Sequence, residues 1–151
     1  MDRLIMFIAT GAGSGYLPKV PGTWGSLAGI GLWYVLQPLP PALYLGVAAA
    51  LFAVGTFCAG SAEKIVDLAD PGIVVIDEIV GQLIALAAAP NHPGAALLGF
   101  VMFRLFDISK PFPANWLDRH IHGGLGIMLD DVVAALYALL VLQLIWKYVW
   151  P

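Results

Sequence analysis

Charge is what this sequence has least of. Asp, Glu, Lys and Arg make up 11% of its 151 residues, ten acidic and seven basic, for a formal net charge of −3. There is no basic run, which excludes a nucleic-acid groove built on phosphate contacts. A single cysteine, Cys58, excludes an intrachain disulfide framework and a zinc site made of thiolates. Cys58 stands in an apolar stretch with no charge near it in sequence, so it reads as a buried, inert thiol rather than a nucleophile. The run Leu4 to Ala9 after Arg3 is too short for a cleaved signal peptide. No internal repeat or low-complexity tract appears.

Apolar residues fill the gap. They make up 60% of the chain, and the mean hydropathy is +0.87. Soluble domains hold about 45–50%. So few polar side chains do not cover the water-facing surface of a domain this size. Lipid is therefore the expected solvent. The length suits one domain, residues 1–151. The expected fold is all-α: a compact multi-helix bundle, a polytopic integral membrane protein with short helical hairpins and a polar active-site face.

Residues 10–26 hold five glycines and two prolines, a composition that argues against regular helix. The stretch also carries Lys19, Thr23 and Ser26. Its backbone amides suit an anion, with Lys19 adding charge. It is not a Walker loop, because Gly-Lys-Ser/Thr is missing, and the spacing after Gly13 does not fit a dinucleotide fingerprint. Ser26 is typed to cap a helix over about 27–37. A second helix is expected over about 42–64. Asp70-Pro71 reads as N-cap and first helical residue of a third segment, about 71–89. A fourth is expected over about 95–110, then a polar loop over 111–126, then a last helix over 127–150.

The turns at 38–41 and 90–94 carry no full charge, whereas Lys64, Arg104, Lys110 and Arg119 gather at the opposite segment ends. That is the pattern of two helical hairpins with tips on one side of a bilayer. The positive-inside rule makes the open ends cytoplasmic. Lys147 departs from it and reads, with Trp146, Tyr148 and Trp150, as an interfacial anchor.

Against this background Val75-Ile76-Asp77-Glu78-Ile79-Val80-Gly81 stands out. A carboxylate pair in such company costs on the order of several kcal/mol unless a cation, a basic side chain or a proton meets it. Asp130 and Asp131 form a second pair after Gly123-Gly124-Leu125-Gly126. Arg104, Asp107 and Lys110, at steps of three, lie along one stripe of a helix. An Arg fork and a Lys point charge suit phosphate oxygens. Oxygen ligands without thiolates point to a hard ion, Mg²⁺. His120 and His122 read as loop histidines, and Glu63, Asp67 and Asp70 as helix-end or solvated groups. The residues thus describe a Mg²⁺-dependent phosphate site at a membrane face, with the substrate open.

Four stretches in this order carry a resemblance: Gly13 to Pro18 with Pro21 to Ser26; Ile76 to Gln82; Phe103 to Pro111; and Gly124 to Asp131. Together they resemble the phosphatidylglycerophosphatase A family of bacterial lipid phosphatases, over nearly the whole chain. The resemblance implies Mg²⁺-dependent hydrolysis of phosphatidylglycerophosphate to phosphatidylglycerol and inorganic phosphate, by a multi-pass enzyme of the bacterial inner membrane with a cytoplasmic active site. No obligate protein partner is expected. The expected metal ligands come from Asp77, Glu78, Asp107, Asp130 and Asp131. Lys19, Thr23, Ser26, Arg104 and Lys110 are the expected phosphate-binding set. Asp77, Glu78 and Asp131 are the expected catalytic set, with Glu78 or Asp131 orienting or deprotonating the water. The signatures of CDP-alcohol phosphotransferases, histidine-based lipid phosphatases and haloacid-dehalogenase-type phosphatases are absent. The alternative of another class is a small membrane transporter or ion-coupling subunit, whose carboxylates would sit near the bilayer midplane.

Overall fold

The computed structural model describes residues 1–149; Trp150, part of the anchor expected from the sequence, lies outside them. Among the described residues there are seven α-helices, one short 3-10 turn (Ser14–Tyr16) and no strand. The helices are α1 Asp2–Ala9, α2 Pro21–Leu36, α3 Pro41–Val66, α4 Ile76–Ala85, α5 Pro93–Ser109, α6 Ala114–His120 and α7 Gly123–Val149. The all-helical bundle expected from composition is what forms.

Proline sets three of the starts. Pro21, Pro41 and Pro93 each occupy the first helical position, where a missing N–H costs nothing. Short turns join α2 to α3 and α4 to α5, while α4 packs between α2 and α7, and α7 runs along α3 and α5. The sequence boundaries need correcting in three places. Residues 21–26 are helical, so Ser26 is not a cap; it is fully buried inside α2 and its hydroxyl donates to the Gly22 carbonyl at 2.9 Å. Residues 71–75 are not helical. Asp70 has φ +45°, unlike the β-region backbone of an N-cap, and the Val75 N–H is drawn to the Ala9 carbonyl at 2.9 Å, so α4 begins only at Ile76. The polar loop contains α6, and α7 starts four residues early, at Gly123.

The core is knit by small residues. Ala59, Ala62, Ala134, Ala135 and Ala138 are completely buried. At the α3–α7 crossing a Cβ on Gly124 would overlap the Thr56 carbonyl. Close backbone approach through Gly and Ala is how helices gain dispersion energy where lipid removes the hydrophobic incentive. Two helices, Pro41–Val66 and Gly123–Tyr148, are long and apolar enough to cross a membrane. On α3 the side chains of Leu43, Leu45, Val54 and Phe57 face outward.

The short α4 ends inside the bundle, and carbonyls at and just beyond its C-terminal end take side-chain donors from three neighbours. Trp33 Nε1 donates to Leu86 (3.0 Å), Tyr44 Oη to Leu83 (2.7 Å) and Gln143 Nε2 to Ala88 (2.8 Å). These contacts lie at the hairpin-tip end. The polar residues gather at the other.

Candidate active site

Seven of the residues expected from the sequence line one cavity of about 410 Å³: Asp77, Glu78, Arg104, Asp107, Lys110, Asp130 and Asp131. It opens among the N-termini of α2, α4 and α7, the C-termini of α3 and α5, and α6. The first turn of α4 brings in Asp77 and Glu78. The last two turns of α5 bring in Arg104 and Asp107, with Lys110 in a left-handed conformation (φ +41°) just past the helix end. Asp130 and Asp131 sit one turn deeper in α7 than a helix-start reading places them, because α7 begins at Gly123.

Asp77, Glu78 and Asp131 each offer one oxygen, all within 4.8 Å of one another. Asp77 Oδ1, Glu78 Oε2 and Asp131 Oδ2 are sealed from solvent with no hydrogen-bond partner among the described residues. Burial drives the Asp77 carboxyl well above its ordinary range, and the adjacent Glu78 and Asp131 carboxylates push the same way. Burial also raises Glu78, against the opposing pull of Arg104. Three converging, unsatisfied carboxylate oxygens are a poor arrangement for water or for a lone Lys. They are a good one for a hard divalent cation, which needs oxygen ligands and relieves the repulsion that holds the carboxyls up. The donor set therefore fits Mg²⁺.

Two cations flank the trio. Arg104 is ion-paired with Asp107 on its own helix and lies 3.6 Å from Glu78 Oε1. Lys110 Nζ bridges Asp118 Oδ1 (2.6 Å) and Asp130 Oδ2 (2.7 Å). Burial alone would lower the Lys110 pKa, but its bonds to Asp118 and Asp130 outweigh that and raise it. Both cations are thus fixed in place by carboxylates. Fixed positive charge beside a divalent-ion site suits an anion with several oxygens, such as a phosphate.

The glycine-rich stretch contributes differently from its sequence reading. Val20, Pro21 and Gly22 line the cavity, whereas Lys19, Thr23 and Ser26 do not. Lys19 is exposed with φ +79°, Thr23 is half-buried in the first turn of α2, and Ser26 is sealed one turn further along it. Gly22 is the residue that matters for geometry. A Cβ there would overlap Glu78 Oε1 and stand 3.0 Å from both terminal nitrogens of Arg104.

Glu63, Asp70, Asp118 and His122 also line the cavity. Read as polar helix ends and loop, they gave no signal of their own. Only the fold of α6 across the mouth brings Asp118 to Lys110. His120, by contrast, stacks on Trp116 with ring centroids 4.7 Å apart and bonds the Trp116 carbonyl, a role internal to α6.

The sequence family described as Phosphatidylglycerophosphatase A matches residues 7–146. Among curated relatives, the Phosphatidylglycerophosphatase A of Escherichia coli is 41% identical over 145 residues, spanning 95% of this chain and 84% of that protein. The protein of the same name from Haemophilus influenzae is 42% identical over 139 residues, 91% of this chain and 85% of that one. A Putative phosphatidylinositol-3-phosphatase of Bacteroides thetaiotaomicron is 37% identical over 146 residues, 92% and 91%. No solved structure matches the chain.

Proposed function

The chain belongs to the phosphatidylglycerophosphatase A family, and from that membership we propose that it hydrolyses the terminal phosphomonoester of phosphatidylglycerophosphate, releasing phosphatidylglycerol and inorganic phosphate. It is a phosphoric monoester hydrolase acting on a lipid. The observation that carries the chemistry is the set of three orphaned carboxylate oxygens facing two fixed cations in one cavity.

Asp77, Glu78 and Asp131 would hold Mg²⁺, with the free Asp130 Oδ1 close by and Asp107 serving Arg104. When bound, the ion supplies Lewis-acid polarisation of a phosphate oxygen and a more acidic water. Arg104 and Lys110 neutralise the remaining phosphate oxygens, exchanging part of their pairing with Asp107 and Asp118 for the substrate. Glu78 or Asp131, through an oxygen not given to the ion, orients the attacking water and takes its proton, which passes to the leaving alkoxide oxygen. The charge that builds on the leaving alkoxide oxygen is met by the same cationic wall.

The lipid side of the proposal has its own support. The cavity lies at the bundle end where Trp24, Phe112 and Trp116 are exposed, as aromatics at a headgroup layer are. With α3 and α7 crossing the inner membrane, the Lys and Arg clustered at this end support a cytoplasmic orientation for it. Charges gathered at an end of the bundle, not its middle, fit a phosphate site better than a proton relay.

Phosphate release from phosphatidylglycerophosphate in detergent micelles tests this. Release in Mg²⁺, abolished by EDTA and recovered on adding excess Mg²⁺, is the expected result. Release that persists in EDTA overturns the metal assignment. A second expected result concerns Gly22→Ala. The added methyl displaces Glu78 and the Arg104 guanidinium together, and a shift of ~1 Å lowers kcat/KM about a hundredfold. Activity within threefold of wild type would mean that this wall yields without consequence.

A further inference from the structure

Gln82 is wholly sealed from solvent, yet neither its Oε1 nor its Nε2 has a hydrogen-bond partner among the described residues. A buried amide left unsatisfied on both atoms is rare and calls for an explanation. Its place in the fold supplies one. Gln82 stands one helical turn beyond Glu78 on α4, and helical side chains lean toward the N-terminus of their helix, so the amide is directed back at Glu78. Glu78 Oε2 and Arg104 Nε are buried without partners as well.

The facing helix completes the layer. α2 runs alongside α4 in the same direction, with Gly22 against Glu78 and Gly29 against Gln82, where a Cβ would come within 2.8 Å of the Gln82 Cβ. Ser26 lies between those two glycines on the same face of α2. It is fully buried, and its hydroxyl proton is spent on the Gly22 carbonyl, which leaves its oxygen lone pairs for a donor. Neither Gln82 nor Ser26 lines the cavity. Four buried polar groups from three helices, the Gln82 amide, the Ser26 oxygen, Glu78 Oε2 and Arg104 Nε, are thus contributed at or within about one helical turn of the cavity wall.

We propose that Gln82 and Ser26 are positioning residues for Glu78, sharing with its Oε2 a trapped water that fixes the carboxylate. The inference rests on the phosphatase reading above. A buried water needs two to four polar partners, and the Gln82 amide, the Ser26 oxygen and Glu78 Oε2 provide them. Supports of this kind, one shell behind a carboxylate that holds a metal, change activity by about 10–100-fold when removed. An amide with no such task behaves otherwise. Replacing it by an apolar isostere leaves the fold as stable or more so, and the reaction untouched.

The test is Gln82→Met, compared with wild type for thermal midpoint, kcat and KM on phosphatidylglycerophosphate in Mg²⁺. The expected result is a midpoint no higher than that of wild type, an unchanged KM and a kcat lower by about 10–100-fold. A raised midpoint with kcat retained overturns the proposal. Ser26→Ala decides where Gln82→Met yields no folded protein: a lower kcat at constant KM supports it, and an unchanged kcat overturns it. Wild-type protein that releases no phosphate would instead overturn the functional reading itself. That failure is distinct from an active wild type matched by an equally active Gln82→Met.

Discussion

Asp77→Asn is expected to lower phosphate release about a thousandfold while making the metal-free protein more stable. The two effects share one cause. Asp77 Oδ1 is buried, has no hydrogen-bond partner among the described residues, and lies in a trio whose oxygens come within 4.8 Å of one another. Without a cation, burial and the like charges of Glu78 and Asp131 penalise its ionised form. An amide of the same shape removes that repulsion. The midpoint in EDTA should rise, by about 2–4 °C for each kcal/mol of strain relieved. The same change deletes an anionic ligand, and loss of one preorganised electrostatic contact costs about 10²–10³ in kcat. Mg²⁺ should stabilise wild type and leave the variant's midpoint where it was. Thermal melts in EDTA and in Mg²⁺, beside phosphate release, check all three. A variant less stable than wild type in EDTA would refute the reading of the trio as a site held open for a cation.

Arg104→Met is expected to fail in the opposite direction. Arg104 is the cation shared by Asp107 and Glu78, and the side chains of all three are no more than 17% exposed. Removing it leaves two carboxylates facing each other in low dielectric. Breaking a buried pair from one side costs about 3–5 kcal/mol. Activity should drop by about a thousandfold or more, the scale set by an arginine that stabilises a transferring phosphoryl group. The double variant Arg104→Met with Asp107→Asn separates the two losses. It should recover much of the stability and none of the activity. Recovery of both would demote Arg104 to a structural counter-ion.

The two ends of the bundle and the clustering of the carboxylates were legible in the sequence for the same reason: charge is scarce in it, so each charge has a strong effect. Uncharged turns at 38–41 and 90–94 marked one end of the bundle, and Asp77-Glu78, Arg104-x-x-Asp107 and Asp130-Asp131 marked the other. What was not legible depended on neighbours remote in sequence. Glycine signals a turn or a close helix contact equally well, and Gly22 and Gly25 proved to be the second kind, which moved the start of α2 back to Pro21. Asp70-Pro71 has the residue types of a helix start, but the backbone after it is claimed by α1 through Val75 and Ala9. Helix α6, at seven residues, is too short to display a period. Ser26 has the residue type of a cap, but α2 starts five residues before it, and its hydroxyl turns back to the Gly22 carbonyl inside the helix.

The three donors that grip the far end of α4 have a consequence for the lipid environment. At ten residues α4 rises about 15 Å, half of a bilayer's hydrocarbon thickness. It is a half-length peg hung from Trp33, Tyr44 and Gln143, one each from α2, α3 and α7. Its depth is therefore set by side chains of the protein and not by where its own ends meet headgroups. With α3 and α7 spanning a bilayer as proposed, a thicker or thinner membrane would act on their tilt, since they are the elements long enough to feel it. Asp77 and Glu78 ride on the peg, so their height in the bundle stays constant as lipid composition varies. That suits an enzyme that acts on a lipid.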